Sequence, residues 1–142
     1  MNEHRILTFC IPHYNNPRLL ERCLKSISKL THKCHVVIVD DCSSQENYSQ
    51  AKIIVNQFNF QRVELYRNFS NRGVSYTKNK CFRIAYSGWC IFLDCDDYLD
   101  HSEGEKMLQF LKGYDGYIAM FHCINDKNLR SHVEVDRSID IR

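Results

Sequence analysis

Trp89-Cys90-Ile91-Phe92-Leu93-Asp94-Cys95-Asp96-Asp97-Tyr98-Leu99-Asp100 joins a run of apolar residues to three carboxylates within four positions. The apolar residues, bounded by Gly88 and Asp94, predict a strand covered on both faces, as in a parallel sheet. Ligands of such sheets bind beyond the carboxyl ends of the strands, where these acids fall. Asp94, Asp96 and Asp97 repel one another in a dry site unless a cation or hydrogen bonds compensate, so a hard divalent ion with oxygen ligands suits the cluster. Taken alone, the stretch also suits a strand followed by a solvated acidic turn.

The chain upstream repeats the pattern. Residues 6–12 form a short β-prone run stopped by Pro12, which predicts a buried first strand, followed by a polar connector at His13, Tyr14, Asn15 and Asn16. Asn16 before Pro17 couples a capping side chain to a preset helical φ. Leu19, Leu20, Cys23, Leu24 and Ile27 then recur at helical spacing and predict a helix to about Leu30. Residues 35–39 predict a second buried strand, and it too ends in acids and small polar residues, Asp40-Asp41-Cys42-Ser43-Ser44. A helix over about 46–58, capped by Ser44 or Asn47, and a less buried strand at 63–66 follow.

Asn68-Phe69-Ser70-Asn71-Arg72-Gly73 reads as a polar loop whose glycine takes positive φ or lets a ligand approach the backbone. Ser75 then caps a helix striped by Cys81, Ile84 and Ala85 and closed by Gly88. Beyond the opening stretch, Ser102 and Glu105 have capping-box spacing, with Met107, Leu108 and Leu111 behind them and Gly113 as the stop. Residues 117–124 read as a buried strand, and Val133, Val135, Ile139 and Ile141 alternate weakly, as in an edge strand. Strands alternating with helices predict an α/β sandwich around a mostly parallel sheet, one domain over residues 1–142. If the two strands with acidic ends are parallel neighbours, these ends make a polar crevice along one sheet edge, suited to a nucleotide diphosphate and a magnesium- or manganese-like ion.

Composition narrows the partners. A net charge of +2, from 19 basic and 17 acidic side chains, is too weak and too scattered for nucleic acid. Eight cysteines contain no Cys-x-x-Cys pair and several lie in apolar runs, so reduced, structural thiols are expected. No stretch is long enough for a transmembrane span and no leader pattern opens the chain, which makes the cytosol the expected location. Neither Gly-x-Gly-x-x-Gly nor a P-loop motif is present, which disfavours a dinucleotide site and a P-loop.

Four segments in fixed order resemble a known family. They are an apolar strand into Pro12-x-Tyr14-Asn15, Val37-Ile38-Val39-Asp40-Asp41-x-Ser43, Asn71-Arg72-Gly73 followed by Lys78-Asn79, and Phe92-Leu93-Asp94-Cys95-Asp96-Asp97. From about Ile6 to Leu111 the chain resembles the family 2 type of nucleotide-diphospho-sugar transferases, with the GT-A fold. The resemblance implies a three-layer α/β/α, Rossmann-like sandwich and transfer of a sugar to an acceptor hydroxyl, in surface polysaccharide or glycoconjugate synthesis. It implies that Pro12 and Tyr14 line the base pocket, that Asp41 accepts from the base edge, and that Asp94 faces the ribose or sugar. It further implies that Asp96, helped by Asp97, holds Mn2+ or Mg2+, and that Lys78 stands near the donor where the family commonly has arginine. Lys80 departs from a usual glycine.

The family's acceptor site and catalytic base come from well downstream of the Asp-x-Asp motif, so the fold reads as truncated at the C-terminus. The base is expected beyond Arg142, since Asp126, Asp136 and Asp140 lie in no matching context. A donor-binding remnant without activity, completed by a partner chain or by self-association, therefore stays open beside the enzyme. An aspartyl-phosphate enzyme or receiver domain is the third reading, with the Asp-x-Asp motif on the wrong strand for the former and the phosphoacceptor context lacking for the latter.

Overall fold

The computed structural model describes residues 6–86 and 88–111, and the backbone of 119–120 and 134–135. The first strand, β1 (Ile6–His13), leads through α1 (Pro17–Ser28) to β2 (His35–Asp40), and α2 (Gln45–Val55) leads on to β3 (Arg62–Arg67). Next come α3 (Val74–Ile84), β4 (Gly88–Phe92) and α4 (His101–Leu111), and then β5 (Ala119–Met120) and β6 (Glu134–Val135). The four longer strands form one parallel sheet in the order β3-β2-β1-β4, while β5 and β6 pair antiparallel with each other. The architecture is thus the mostly parallel α/β sandwich that the alternating pattern predicts. Gly113 and most of residues 117–124 lie outside the described residues, as do Val133, Ile139, Ile141 and the three late aspartates.

The two central strands carry the apolar runs. Side chains on β1 and β2 are buried apart from Ile6 at the start of β1. Alternation sends Leu7, Phe9, Ile11, Val36 and Ile38 into a core shared with Leu20, Leu24 and Ile27 of α1 and Met107, Leu108 and Leu111 of α4. Cys10, Val37 and Val39 face the other way and meet Cys81 of α3. Each fully buried Leu or Ile contributes about 1.5–3 kcal/mol, so the first face supplies most of the stabilisation. The cysteines follow the same logic: all those described are free, and burial pushes the thiols of Cys23, Cys34 and Cys81 up to about 12.

Several local expectations are corrected. α3 starts at Val74, two positions after Arg72, with Gly73 at φ +84° as its cap and no side chain in the capping role that Ser75 was expected to fill. That helix ends at Ile84, and Gly88 is the first residue of β4 rather than a helix stop. β4 is not covered on both faces: Ile91 is buried, whereas Phe92 is exposed, because α3 lies over β1 and β2 and β4 is an edge among the described strands. At α4 the cap is Asp100, whose Oδ1 accepts from Glu103 N at 3.1 Å. The Glu105 carboxylate instead accepts from Thr31 N at 2.6 Å and Thr31 Oγ1 at 2.7 Å, tying α4 to the end of α1. The other two caps match expectation, since Asn16 accepts from Leu19 N at 3.4 Å and Ser44 from Asn47 N at 3.2 Å.

Gly88 is needed where it stands. Its φ is +141°, and a Cβ there would lie 2.1 Å from the carbonyl oxygen of Ile6 on the paired strand. Gly88→Ala is therefore expected to lower unfolding stability by about 2 kcal/mol or more in urea titrations, and a loss under about 0.5 kcal/mol would contradict the close strand approach.

Candidate functional site

Strand order places the site. β1, β2 and β3 run outward in one direction from β1 and β4 returns to its other side, so the order reverses between β1 and β4, the position where open parallel sheets bind ligands. An open cleft of about 470 Å3 lies there, lined by Pro12 at the end of β1 and Tyr14 just beyond it, Asp41 after β2, and Asp94 and Asp96 after β4. The two acidic strand ends are not on neighbouring strands. Each of their strands pairs with β1, so Asp41 and the Asp94–Asp96 segment flank the end of that strand.

Asp40 and Asp41 point to opposite faces, as successive residues leaving a strand do. Asp40 Oδ1 lies 2.8 Å from His13 Nδ1 in the register-paired position on β1, while Oδ2 accepts from Ser43 N at 3.0 Å and lies 3.4 Å from Arg67 Nε. Burial alone would push the Asp40 carboxyl up, but the His13 and Ser43 hydrogen bonds outweigh it and hold the group below the ordinary carboxylate range. Asn15, at φ +50°, extends the same tie: its N–H donates to Ser43 Oγ and its side-chain oxygen accepts from Ser44 N, both at 2.8 Å.

On the cleft side, Asp41 accepts from Arg72 N at 2.9 Å and Asn68 Nδ2 at 2.8 Å on Oδ1, and from Gly73 N at 2.8 Å on Oδ2. Its carboxyl is buried, which raises its pKa, yet these donors and Thr77 bring the balance below the ordinary value. Three of its roughly four acceptor positions are thus taken by the 68–73 loop. Asp41 lines the cleft chiefly as the anchor of that loop and of the start of α3, a duty the sequence pattern does not reveal.

Asp94, Asp96 and Asp97 share one tight turn, closed by Asp97 N donating to Asp94 O at 2.9 Å. Lys78 Nζ reaches from α3 to Asp94, 2.7 Å from Oδ1 and 3.0 Å from Oδ2. The two expected donor residues are therefore brought together as an ion pair. Lys78 and Asp97 are not among the residues lining the cleft. Burial first, and then the charges of Asp96 and Asp94, push the Asp97 carboxyl above its ordinary value, with Lys78 and Arg22 opposing. Asp96 is exposed, its backbone oxygen accepts from Arg22, and no described side chain pairs with its carboxylate. Among the described residues no three metal-ligating side chains cluster, so a protein-only metal cage is not built here. A Mg2+-like ion that keeps waters and takes one or two carboxylates plus substrate phosphates fits this open, acid-rich turn.

The cleft is also lined by His13, Asn16, Leu19, Asn71, Gly73, Val74, Thr77 and Cys95, which the sequence reading did not single out as site residues. For Asn71 and Gly73 the signal was the polar loop itself. Thr77, one turn into α3 and fully buried, donates to Gly73 O at 3.0 Å and had no such signal.

Residues 8–136 match the model of the glycosyl transferase family 2. The chain belongs to that family. A relative from Haemophilus influenzae, an uncharacterized glycosyltransferase, is 29% identical over 118 residues, which cover 82% of this chain and 38% of the relative. Among solved structures, this family 2 chain is similar to S. aureus TarS 1–349 in complex with UDP, with a TM-score of 0.65 and 22% identity over 76% of this chain and 32% of that TarS chain. It is also similar to the mannosyltransferase PcManGT from Pyrobaculum calidifontis in complex with GDP-Man and Mn2+, with a TM-score of 0.70 and 20% identity over 83% of this chain and 35% of that one. The fold is thus shared with GT-A glycosyltransferases, and this chain spans about a third of the length of the Haemophilus relative and of the two solved chains.

Asp41 gives the site a pH signature. Because its folded pKa lies below the unfolded value, the stability it adds is present above the ordinary carboxylate range and is lost as pH falls through the depressed pKa. Asp41→Asn is expected to be less stable at pH 7 by about 2 kcal/mol, with faster amide exchange at Arg72 and Gly73, and to lose less stability than the parent between pH 5 and pH 2. Parallel acid-unfolding curves for the two proteins would contradict this role.

Proposed function

We propose that this family 2 domain binds a nucleotide-diphospho-sugar together with Mn2+ or Mg2+ and serves its transfer to an acceptor hydroxyl. The observation that carries the reading is the convergence of Pro12, Tyr14, Asp41, Asp94 and Asp96 from three strand ends on one cleft at the order reversal of the sheet. Tyr14, half exposed over the cleft, offers a ring face to a base, with Pro12 beside it. Asp41 keeps the 71–73 backbone at the rim, and its carboxylate, which lines the cleft, would accept from a base edge there. Asp94, oriented by Lys78, faces the ribose or sugar, and that lysine supplies a point charge toward the phosphates rather than a bidentate contact.

Asp96, with Asp97 behind it, would hold the ion. When bound, that ion stabilises the negative charge of the departing nucleoside diphosphate. The reaction is attack of an acceptor hydroxyl on the anomeric carbon, inverting by family resemblance, with a carboxylate base from outside the described residues taking the proton. Surface polysaccharide or glycoconjugate synthesis in the cytoplasm is the setting we propose. Among the described residues no helix is long and apolar enough to cross a membrane.

The donor-site reading is tested by calorimetric titration of UDP and GDP in the presence of Mn2+. One of the two is expected to bind in a Mn2+-dependent way, and Asp96→Asn to weaken it about tenfold or more, equivalent to about 1.4 kcal/mol. Equal binding by the parent and the variant, or none by the parent, would contradict it.

A further inference from the structure

A second, smaller hollow of about 290 Å3 lies beside the donor cleft, between α1 and the segment leading into α4, with Arg22, Lys25, Lys29, Tyr98, Asp100 and His101 in its lining. Three cations face one carboxylate there, and Asp100 Oδ1 is already engaged with Glu103 N. Among the described residues neither Lys25 nor Lys29 has an ion-pair partner. Lys25 and Lys29 stand one helical turn apart, where like charges repel unless an anion lies between them.

The hollow is open at the surface, and one of its walls is pinned to α1. Leu99 N donates to Ser26 Oγ at 3.0 Å, which fixes the 98–101 segment against α1. The Arg22 guanidinium lies 5.1 Å from the centre of the Tyr98 ring and donates to the backbone oxygen of Asp96. It therefore forms the wall between this hollow and the Asp94–Asp97 turn. Lysines in the last turn of a helix also complement its dipole, but that role calls for no concavity and no fixed arginine.

We propose that this groove binds the phosphate group of a phosphate-bearing acceptor, which brings that acceptor to the edge of the donor cleft. The lysine ammonium groups and the Arg22 guanidinium supply charge-assisted donors, and the Tyr98 hydroxyl can add another. The acceptor assignment rests on the transferase reading above; the phosphate site itself does not. The same chemistry is offered by a soluble phosphate ester and by a lipid headgroup.

The test uses the full 142-residue chain, 15N-labelled and freed of metal with EDTA. Inorganic phosphate, added at constant ionic strength, is expected to shift amides of residues 22–29 and 98–101 saturably. Lys25→Gln/Lys29→Gln and Lys25→Glu/Lys29→Glu are each expected to weaken binding about tenfold while keeping Mn2+-dependent nucleotide binding. Co-sedimentation with phosphatidylcholine vesicles, with and without phosphatidylglycerol, separates the sources: retention that needs phosphatidylglycerol and both lysines assigns a lipid headgroup, and phosphate binding without retention assigns a soluble ester. No saturable shift, or equal shifts in parent and variants, overturns the groove. Loss of nucleotide binding in the variants overturns its separateness from the donor site. Intact phosphate binding in a chain that binds no nucleotide removes the acceptor assignment and leaves the groove.

Discussion

Two consecutive buried carboxylates at the end of β2 hold the functional end of the sheet together. A buried carboxylate is costly unless its lone pairs are met, and Asp40 and Asp41 meet theirs on opposite faces. Asp40 gathers His13 from β1, Arg67 from β3 and the Ser43 turn ahead of α2, while Asp41 gathers the 68–73 loop and the start of α3. Alternation along one strand thus converts a two-residue sequence into ties to both layers of the sandwich. The cleft floor is cross-linked for that reason, and its rim comes from the same contacts.

The acids after β4 are arranged differently. They sit on a turn, partly exposed, with Asp94 neutralised by Lys78 and Asp96 left without a side-chain partner among the described residues. Carboxylates of this kind add little to folding and are available to a cation. The acids at this end of the sheet therefore divide into a buried, hydrogen-bonded pair at the end of β2 and a partly exposed group after β4. The difference is set by burial and by the number of donors pointed at each carboxylate, not by residue type.

Much of this was legible in the sequence. The apolar runs at residues 6–12 and 35–39 are buried on both faces and read correctly as central strands, and Asn16-Pro17 and Ser44 read correctly as helix starts, because each depends on chemistry within a few residues. The strand at 89–93 read as doubly covered because an apolar run looks alike whether or not α3 lies over it; which strands a helix covers is decided by tertiary packing. Gly88 read as a helix stop because a glycine after a periodic stretch gives the same signal, whereas its positive φ answers the Ile6 carbonyl across the sheet. The division of labour between Asp40 and Asp41 was hidden for a related reason. The Asp41 partners Asn68, Arg72 and Gly73 lie about 30 positions away, and no local pattern records that the loop folds back onto that carboxylate.

The central claim is that the turn after β4 and the loop held by Asp41 enclose one nucleotide-diphosphate and metal site. Paramagnetic line broadening by Mn2+, recorded on backbone amides with and without UDP or GDP, tests this most directly. The account predicts broadening centred on residues 94–97 and extending to 71–73 and Tyr14, strengthened by nucleotide. Broadening centred elsewhere, or unchanged when nucleotide is added, would contradict it.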